Sequence, residues 1–411
     1  MSTTAPHAPS TPAAIVLLVT AAVFINYVDR GNLATAMPLM QGELRLSATE
    51  LGVLQSAFYY GYVAAMAPVG WLAERFGAQR MLAVGVAIWS LATLLTGFAA
   101  NFTVLLALRL LLGVGESAAF PCASKLLAHA VTVGRLGVAN GVMSFGYLLG
   151  PAVGTLVGGL LMSVFGWRPV FFVFGCVSLL WLWPWQRVVL GPAVRSPAPG
   201  EAPPSFRRIL RQRALWGAAI GLFASNYSFY FILAWLPFYL VKVRGFSIEA
   251  MAWTASWAYL LNAVSALLIG WLTDRWVRAG HSATLVYKTI MAVYHIGGIA
   301  CMVGMVSLPT DESIACLFVY EILAGLSSPG IFAIPQIIAG PSAVGRWVGV
   351  QNTVGGMAGL AAPAITGWLV DRETGHFGTA FALAAALNVV GLLGWIVILP
   401  RVAPLRWAEE R

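Results

Sequence analysis

Long apolar runs separated by short polar links leave this chain little choice of fold. Twelve such runs, each of roughly 20 residues or more and so able to cross ~30 Å of hydrocarbon, lie near 13–37, 48–72, 81–99, 102–127, 137–161, 166–190, 214–241, 248–272, 286–308, 312–338, 345–370 and 377–399. In hydrocarbon every peptide group must find its partner within the protein, so runs of this length become helices. Composition agrees: 59% of the 411 residues are hydrophobic and only 9% charged, against ~25% charged in globular domains. The 43 glycines and 22 prolines do not signal disorder, which needs low hydrophobicity; mean hydropathy is +0.82. The chain reads as an all-α integral membrane protein. Residues 1–12 carry no Lys or Arg and no small-residue cleavage site follows the first run, so that run is read as a span and not as a cleaved signal peptide.

The net charge of +9 would indicate a nucleic-acid binder only if it clustered on one face. With the N-terminus in the cytoplasm, the positive charges instead sort by side of the membrane. Seventeen of the 24 Lys and Arg, among them Arg75, Arg80, Arg187, Arg207, Arg208, Arg275 and Arg346, fall in inside loops and tails. Five (Arg45, Arg168, Lys242, Arg244, Arg372) fall outside, and two (Arg30, Arg109) fall within spans. The excess is therefore a topology signal, which excludes nucleic acid as a partner and predicts a multi-pass protein of the cell inner membrane with both termini cytoplasmic. Cys122, Cys176, Cys301 and Cys316 lie inside apolar runs, which argues against a disulfide framework or a metal cluster. No metal or cofactor is expected. The longest link, 191–213, is rich in proline and then basic. It divides the chain into a six-helix bundle at 1–190, a cytoplasmic linker at 191–213, and a second six-helix bundle at 214–411 with a short cytoplasmic tail.

The two halves repeat one another. Gly70-Trp71-Leu72-Ala73-Glu74-Arg75-Phe76-Gly77 follows the second span, and Gly270-Trp271-Leu272-Thr273-Asp274-Arg275-Trp276 follows the eighth, 200 residues later. Half-transporter repeats place a substrate site between the halves near the bilayer midplane. Two pseudo-symmetric six-helix bundles with a basic central loop resemble the major facilitator superfamily over the whole chain. The segment after span two is similar to that superfamily's G-x-L-x-D-R-x-G motif, with Glu74 in the place of Asp. The resemblance implies that Gly70, Glu74, Arg75, Gly77, Asp274 and Arg275 latch cytoplasmic helix ends as gating residues.

Charge inside a bilayer is expensive and marks function. Five ionisable groups sit well within spans: Asp29, Arg30, Arg109, Glu116 and Glu321. Asp29 and Arg30 point ~100° apart on a helix, so one faces a neighbour while the other faces a cavity. Arg109 and Glu116 are seven residues apart, nearly two turns, and share a stripe. The simplest pairing joins Asp29 to Arg109 as a clamp and leaves Arg30 and Glu116 free to work. A structural network of all four charges is the alternative. A free guanidinium binds a planar carboxylate through two parallel hydrogen bonds, which suits Arg30 to an anion. Glu116 suits a proton carrier, because its protonation depends on whether a pair with arginine is made.

N-Y-x-D-R-x-N-L in span one (Asn26, Tyr27, Asp29, Arg30, Asn32, Leu33) and R-x-x-x-G-x-x-E-x-x-x-x-P in span four (Arg109, Gly113, Glu116, Pro121) resemble the anion:cation symporter family. W-L-P-x-Y-L in span seven and Gly166-Trp167-Arg168 agree with it. That resemblance implies that Arg30 contacts the substrate carboxylate, that Asp29 and Glu116 take part in proton coupling, and that Arg109 pairs with an acid. It also implies that Tyr27, Tyr62 and Asn352 hydrogen-bond substrate. Vesicular members of the family carry a further arginine in span seven. This chain has Asn226, Tyr227 and Tyr230 there, which disfavours a dicarboxylate.

Other candidates are weaker. Asn226 and Tyr230 share one face of span seven as further substrate contacts. Glu321 is a second proton site, a contact for substrate hydroxyls, or a protonated acid bonded to a backbone carbonyl. His295 is read as a satisfied core residue, the glycines at 146, 150 and 154 and at 355, 356 and 359 as points of close helix approach, and most of the 16 tryptophans as interfacial belts. The chain is thus expected to be a monomeric, proton-coupled importer of a small organic anion, a hydroxylated monocarboxylate such as a sugar acid. The alternatives are an efflux pump or anion exchanger of the same fold, or a membrane sensor. An enzyme is disfavoured because no H-E-x-x-H, G-x-S-x-G or Cys/His cluster occurs.

Overall fold

The computed structural model describes residues 11–131, 133–188, 204–405 and 407, and among these every regular element is a helix. The chain divides into two compact units, the first comprising Met1–Leu46, Val53–Ala198 and Phe246–Ser256, the second Ser47–Gly52, Pro199–Gly245 and Trp257–Arg411.

The first unit is built from α1 (Pro12–Leu44), most of α2 (Ala48–Phe76), α3 (Ala78–Thr96), α4 (Phe102–Glu116), α5 (Ala119–Ala130), α6 (Val133–Phe165), α7 (Trp167–Leu180) and the short α8 (Leu182–Trp185). Thr11 caps α1 by accepting from the Ala14 amide, with Pro12 at the first helical position, where a missing N–H costs nothing. Ser47 and Glu50 form a reciprocal capping box at the start of α2, with bonds of 2.8 and 3.1 Å. Asn101 caps α4 through the Val104 amide.

Glycine sets the spacing of the helices that carry charge. A Cβ at Gly113 would stand 2.1 Å from the Phe58 carbonyl oxygen, and one at Gly61 2.2 Å from that of Leu110, so α2 and α4 touch backbone to backbone. Gly146, Gly150 and Gly154 do the same for α6 against α1, at Thr20, Tyr27 and Val28.

The second unit contains α9 (Phe206–Leu210), α10 (Arg213–Lys242), most of α11 (Ile248–Arg278), α12 (Ala283–Ser307), α13 (Thr310–Arg372), α14 (Gly378–Leu393) and a π-helical turn at Gly394–Ile398. The 63 residues of α13 are two spans joined at Gly340, whose φ of 66° and ψ of 176° are not helical. Gly355 packs on Leu222 of α10, whereas a Cβ at Gly356 would meet open space.

Among the described residues, eleven helical stretches are long and apolar enough to cross a membrane. The 29-residue α2 is as long but carries Gln55, Tyr59, Tyr60 and Tyr62, and it supplies the twelfth run. Val164, Leu180 and Leu268 are well exposed while Arg30, Arg109, Glu116 and Glu321 are buried, as expected when the surrounding solvent is lipid. Eight tryptophans, among them Trp71, Trp183 and Trp271, are exposed, while Trp89, Trp185, Trp235, Trp347 and Trp395 are fully buried within the units. For Trp235 the cause is visible, since its indole N–H donates to the Pro363 carbonyl at 3.2 Å. The four cysteines are free thiols.

Candidate functional site

In the first unit the charged stretches of spans one and four meet side chain to side chain. Arg30 of α1 donates from Nε (3.3 Å) and Nη2 (3.0 Å) to a single oxygen of Glu116 on α4, Oε2. Arg30 is 7% exposed and Glu116 is 0% exposed, so this is an ion pair taken wholly out of water. Such a pair repays its desolvation only when its remaining lone pairs and protons are also satisfied. Here they are not, because Glu116 Oε1 is buried without a hydrogen-bond partner.

The expected pairing of Asp29 with Arg109 is corrected by this geometry. Asp29 turns to α7, where Ser178 donates to Oδ2 at 3.1 Å, and it accepts from Asn32 on its own helix at 3.2 Å. Arg109 turns to α2. Its Nε donates to the Leu54 carbonyl at 3.3 Å and its Nη2 to Gln55 Oε1 at 3.2 Å. The physical reason lies in the Gly113–Phe58 contact: α4 sits so close to α2 that the long arginine side chain reaches backbone and amide oxygens there. The family-implied acid partner for Arg109 is thus replaced by neutral acceptors, and Arg30, not Arg109, carries the pair.

Aromatic rings surround both cations. The Arg30 guanidinium carbon lies 4.4 Å from the Tyr27 ring centroid, 4.8 Å from Phe58 and 5.2 Å from Tyr62. Arg109 lies 5.3 Å from the same Phe58 ring. Desolvated contacts of this kind hold a guanidinium without neutralising it. The Tyr27 and Tyr62 phenols are within bonding reach of Arg30, and both residues are only half-buried. Tyr27 also packs on Tyr147 and Phe120, with centroids 5.3 and 6.2 Å away. The buried, ion-paired arginine thus lies against two tyrosines that are themselves partly buried.

The second unit holds the remaining candidates. Glu321, 3% exposed, accepts from Asn262 Nδ2 at 2.8 Å, so its partner is a side-chain donor and not the backbone carbonyl considered from sequence. Asn226 donates to the Gly355 carbonyl at 3.0 Å, Tyr230 packs against Phe229 with centroids 5.2 Å apart, and Asn352 is exposed. His295 is fully buried and bonds Asn388 Oδ1 through Nδ1 at 2.9 Å, while Asn388 donates to Ser228 at 2.9 Å. The histidine is buried and bonded through one ring nitrogen, while its Nε2 is buried without a hydrogen-bond partner, so the expected satisfied core residue is only half satisfied.

Among the gating candidates, the side chains of Glu74 and Asp274 lie outside the described residues. Arg75 stacks over Trp71 at 5.5 Å and Arg275 over Trp271 at 5.7 Å, the same one-turn contact in each repeat. Gly77 has φ +90°, a conformation that favours glycine where α2 ends. Gly70 faces open space.

Sequence reading missed Asn26, Gln55, Phe58 and Ser178 as partners of the charges, and Asn262 as the partner of Glu321. Asn26 was legible, standing one turn before Arg30 on the same helix face. The others come from distant helices and left no signal in the local pattern. Among the described residues no group of His, Cys, Asp and Glu could hold a metal.

Residues 19–363 match the Major Facilitator Superfamily. A probable sulfoacetate transporter of Cupriavidus necator is 31% identical over 396 residues, covering 92% of this chain and 91% of its own length. A hexuronate transporter of Bacillus subtilis is 29% identical over 395 residues, with 93% of each chain covered. Among solved structures, a bacterial homologue of the human lysosomal transporter Spinster superposes with a TM-score of 0.77 over 96% of this chain and 95% of its own, at 20% identity. A D-xylose–proton symporter gives 0.76 over 96% and 99%, at 14% identity. At such identities these two likenesses speak for the fold alone. The chain is a multi-pass membrane secondary transporter with anion transporters among its relatives, and it belongs to the major facilitator superfamily.

Proposed function

We propose that this protein imports a small organic anion together with protons, by alternating access, and that the anion is a hydroxylated monocarboxylate such as a sugar acid. The observation that carries the reading is the Arg30–Glu116 pair, buried, half-satisfied at its carboxylate and covered by a tyrosine rim. Protonation of Glu116 removes the charge that holds Arg30. The guanidinium then takes the carboxylate of the substrate in its place, with Tyr27 and Tyr62 bounding the anion. Asp29, bonded only to neutral donors, is a second proton acceptor, and Arg109 keeps the local charge positive. In the second unit Asn226, Tyr230 and Asn352 contact substrate, and Glu321 is either a further protonation site or an acceptor for substrate hydroxyls. The names of two relatives, a hexuronate transporter and a probable sulfoacetate transporter, support a small acid as cargo. The sorting of Lys and Arg supports a bacterial inner-membrane location with cytoplasmic termini, and the Gly70–Gly77 and Asp274–Arg275 segments act as gate latches. The working unit is a monomer.

The test is transport into proteoliposomes under an imposed pH gradient, with D-glucuronate and sulfoacetate as probes. Glu116→Gln is expected to abolish gradient-driven accumulation while sparing exchange of one anion for another. Accumulation that survives in Glu116→Gln removes Glu116 as the coupling site, and a gradient-independent wild type would make the protein an exchanger.

A further inference from the structure

The Arg30–Glu116 pair has a third member. Asn26 is fully buried, one turn before Arg30 on α1, and its Oδ1 accepts from Arg30 Nη2 at 3.2 Å. A guanidinium has only donors to offer, so this bond fixes which end of the amide faces Arg30 and which faces away. The nitrogen therefore points elsewhere, and Asn26 Nδ2 is buried without a hydrogen-bond partner. Asn26 lies within bonding reach of the Glu116 carboxylate, yet neither its nitrogen nor Glu116 Oε1 closes a full hydrogen bond. Two orphaned polar atoms, a donor and an acceptor, thus flank one ion pair at zero exposure. Buried polar groups are almost always paired, and leaving either one unmade is costly. The arrangement suits a donor set shaped for a carboxylate that fits it better than the tethered one now occupying it.

We propose that Asn26 is a second anion-binding residue: its amide nitrogen, with Arg30 Nε and Nη2, forms one three-donor cradle that Glu116 and the substrate's carboxylate occupy in turn. This rests on the reading of Arg30 as the anion site. Glu116 is then the substrate's stand-in. It takes two donors on one oxygen and reaches the amide without closing a full bond to it, because its position on α4 ties it down. A free carboxylate has two oxygens and no tether, so it can lie across the guanidinium edge and the amide together. The cradle selects for a planar anion with two adjacent acceptors, and the amide adds a donor that does not depend on charge.

The measurement is equilibrium binding of acetate (the minimal carboxylate), D-glucuronate and sulfoacetate to purified protein. It is done in a Glu116→Gln background, where the stand-in carries no charge. Into this background go Asn26→Leu, which removes both amide atoms, and Asn26→Asp, which is isosteric and keeps an oxygen toward Arg30 while turning the nitrogen into an acceptor. Asn26→Leu is expected to weaken the tightest-binding probe about five- to tenfold. Asn26→Asp is expected to weaken it further. An Asn26→Asp protein that binds like its parent overturns the proposal. So does an Asn26→Leu protein with parental affinity, which would mean that Asn26 acts through Glu116 alone. Arg30→Ala in the same assay separates the two levels: if it leaves affinity intact, or if the parent binds none of the probes, the anion-site reading itself falls. Loss with Arg30→Ala alone removes only Asn26.

Discussion

The two units repeat one helical plan but bury opposite kinds of polar chemistry. The first hides four ionisable side chains, Asp29, Arg30, Arg109 and Glu116, and leaves polar atoms on Asn26 and Glu116 unpaired. The second hides one carboxylate, Glu321, already bonded by Asn262, and a neutral chain in which His295, Asn388 and Ser228 tie α12, α14 and α10 together. The Asn388 amide is close to fully used, donating to both Ser228 and the Ala384 carbonyl at 2.9 Å and accepting from His295. Because its nitrogen must face those acceptors, the histidine proton sits on Nδ1. The difference is one of charge, since His295 Nε2 is itself unpaired: a neutral network holds helices in place, whereas an under-satisfied charged one is free to change partners. The first unit is therefore where coupling chemistry should concentrate, and the second where polar groups mainly hold shape.

The largest effect that could break this contrast comes from Arg30. Arg30→Ala is expected to reduce uptake of every probe to background. Arg30→Lys should cost at least about tenfold, since a point charge cannot present a planar two-donor edge. Next comes Glu116→Gln against Glu321→Gln, compared in one gradient-driven assay. The contrast predicts loss of accumulation for the first and a fall of no more than about fivefold for the second, the worth of one hydrogen bond. Equal losses would show that the two units share the coupling chemistry.

That Arg30 and Glu116 matter was readable in the sequence from cost alone, because a charge in an apolar run needs a reason. Their pairing was not. Spacing along α4 put Arg109 and Glu116 on one stripe, but which neighbour each meets depends on the rotation and depth of α4 against α1 and α2. Those are set by where glycine lets backbones touch, at Gly113 on Phe58 and Gly61 on Leu110. Likewise Ser178 reaches Asp29 from 149 residues away, with nothing in its own apolar run to set it apart. The twelve helices were legible because hydrocarbon imposes length and apolarity on each one separately, whereas partners are a property of the assembled unit.

A smaller effect tests the shape-holding role of the second unit. Asn388→Leu strands the His295 Nδ1 proton and removes a donor from Ser228. It is expected to lower stability by about 1–3 kcal/mol, read as an earlier thermal transition in detergent, while transport per folded molecule stays near wild type. A specific transport defect at unchanged melting temperature would move Asn388 out of the structural class and erase much of the contrast between units.

The smallest predicted effect isolates burial as the variable. Arg168 and Glu43 form an ion pair where the end of α1 meets the start of α7, with side chains 32% and 49% exposed. Glu43 also accepts from the Trp167 indole at 2.6 Å, and Arg168 reaches the Ala99 carbonyl at 3.1 Å. Glu43→Gln keeps an acceptor for the indole and removes only the charge. An exposed pair gains little against water and is screened by salt, so the expected loss is under about 1 kcal/mol and shrinks as ionic strength rises. Glu116→Gln makes the same chemical change to an arginine–carboxylate pair in the same unit. Its consequences should be insensitive to salt, because no counter-ion reaches a fully buried carboxylate. If both substitutions respond to salt alike, the Arg30–Glu116 pair is hydrated in the working protein, and the exchange of partners would then be driven by water entry and not by protonation alone.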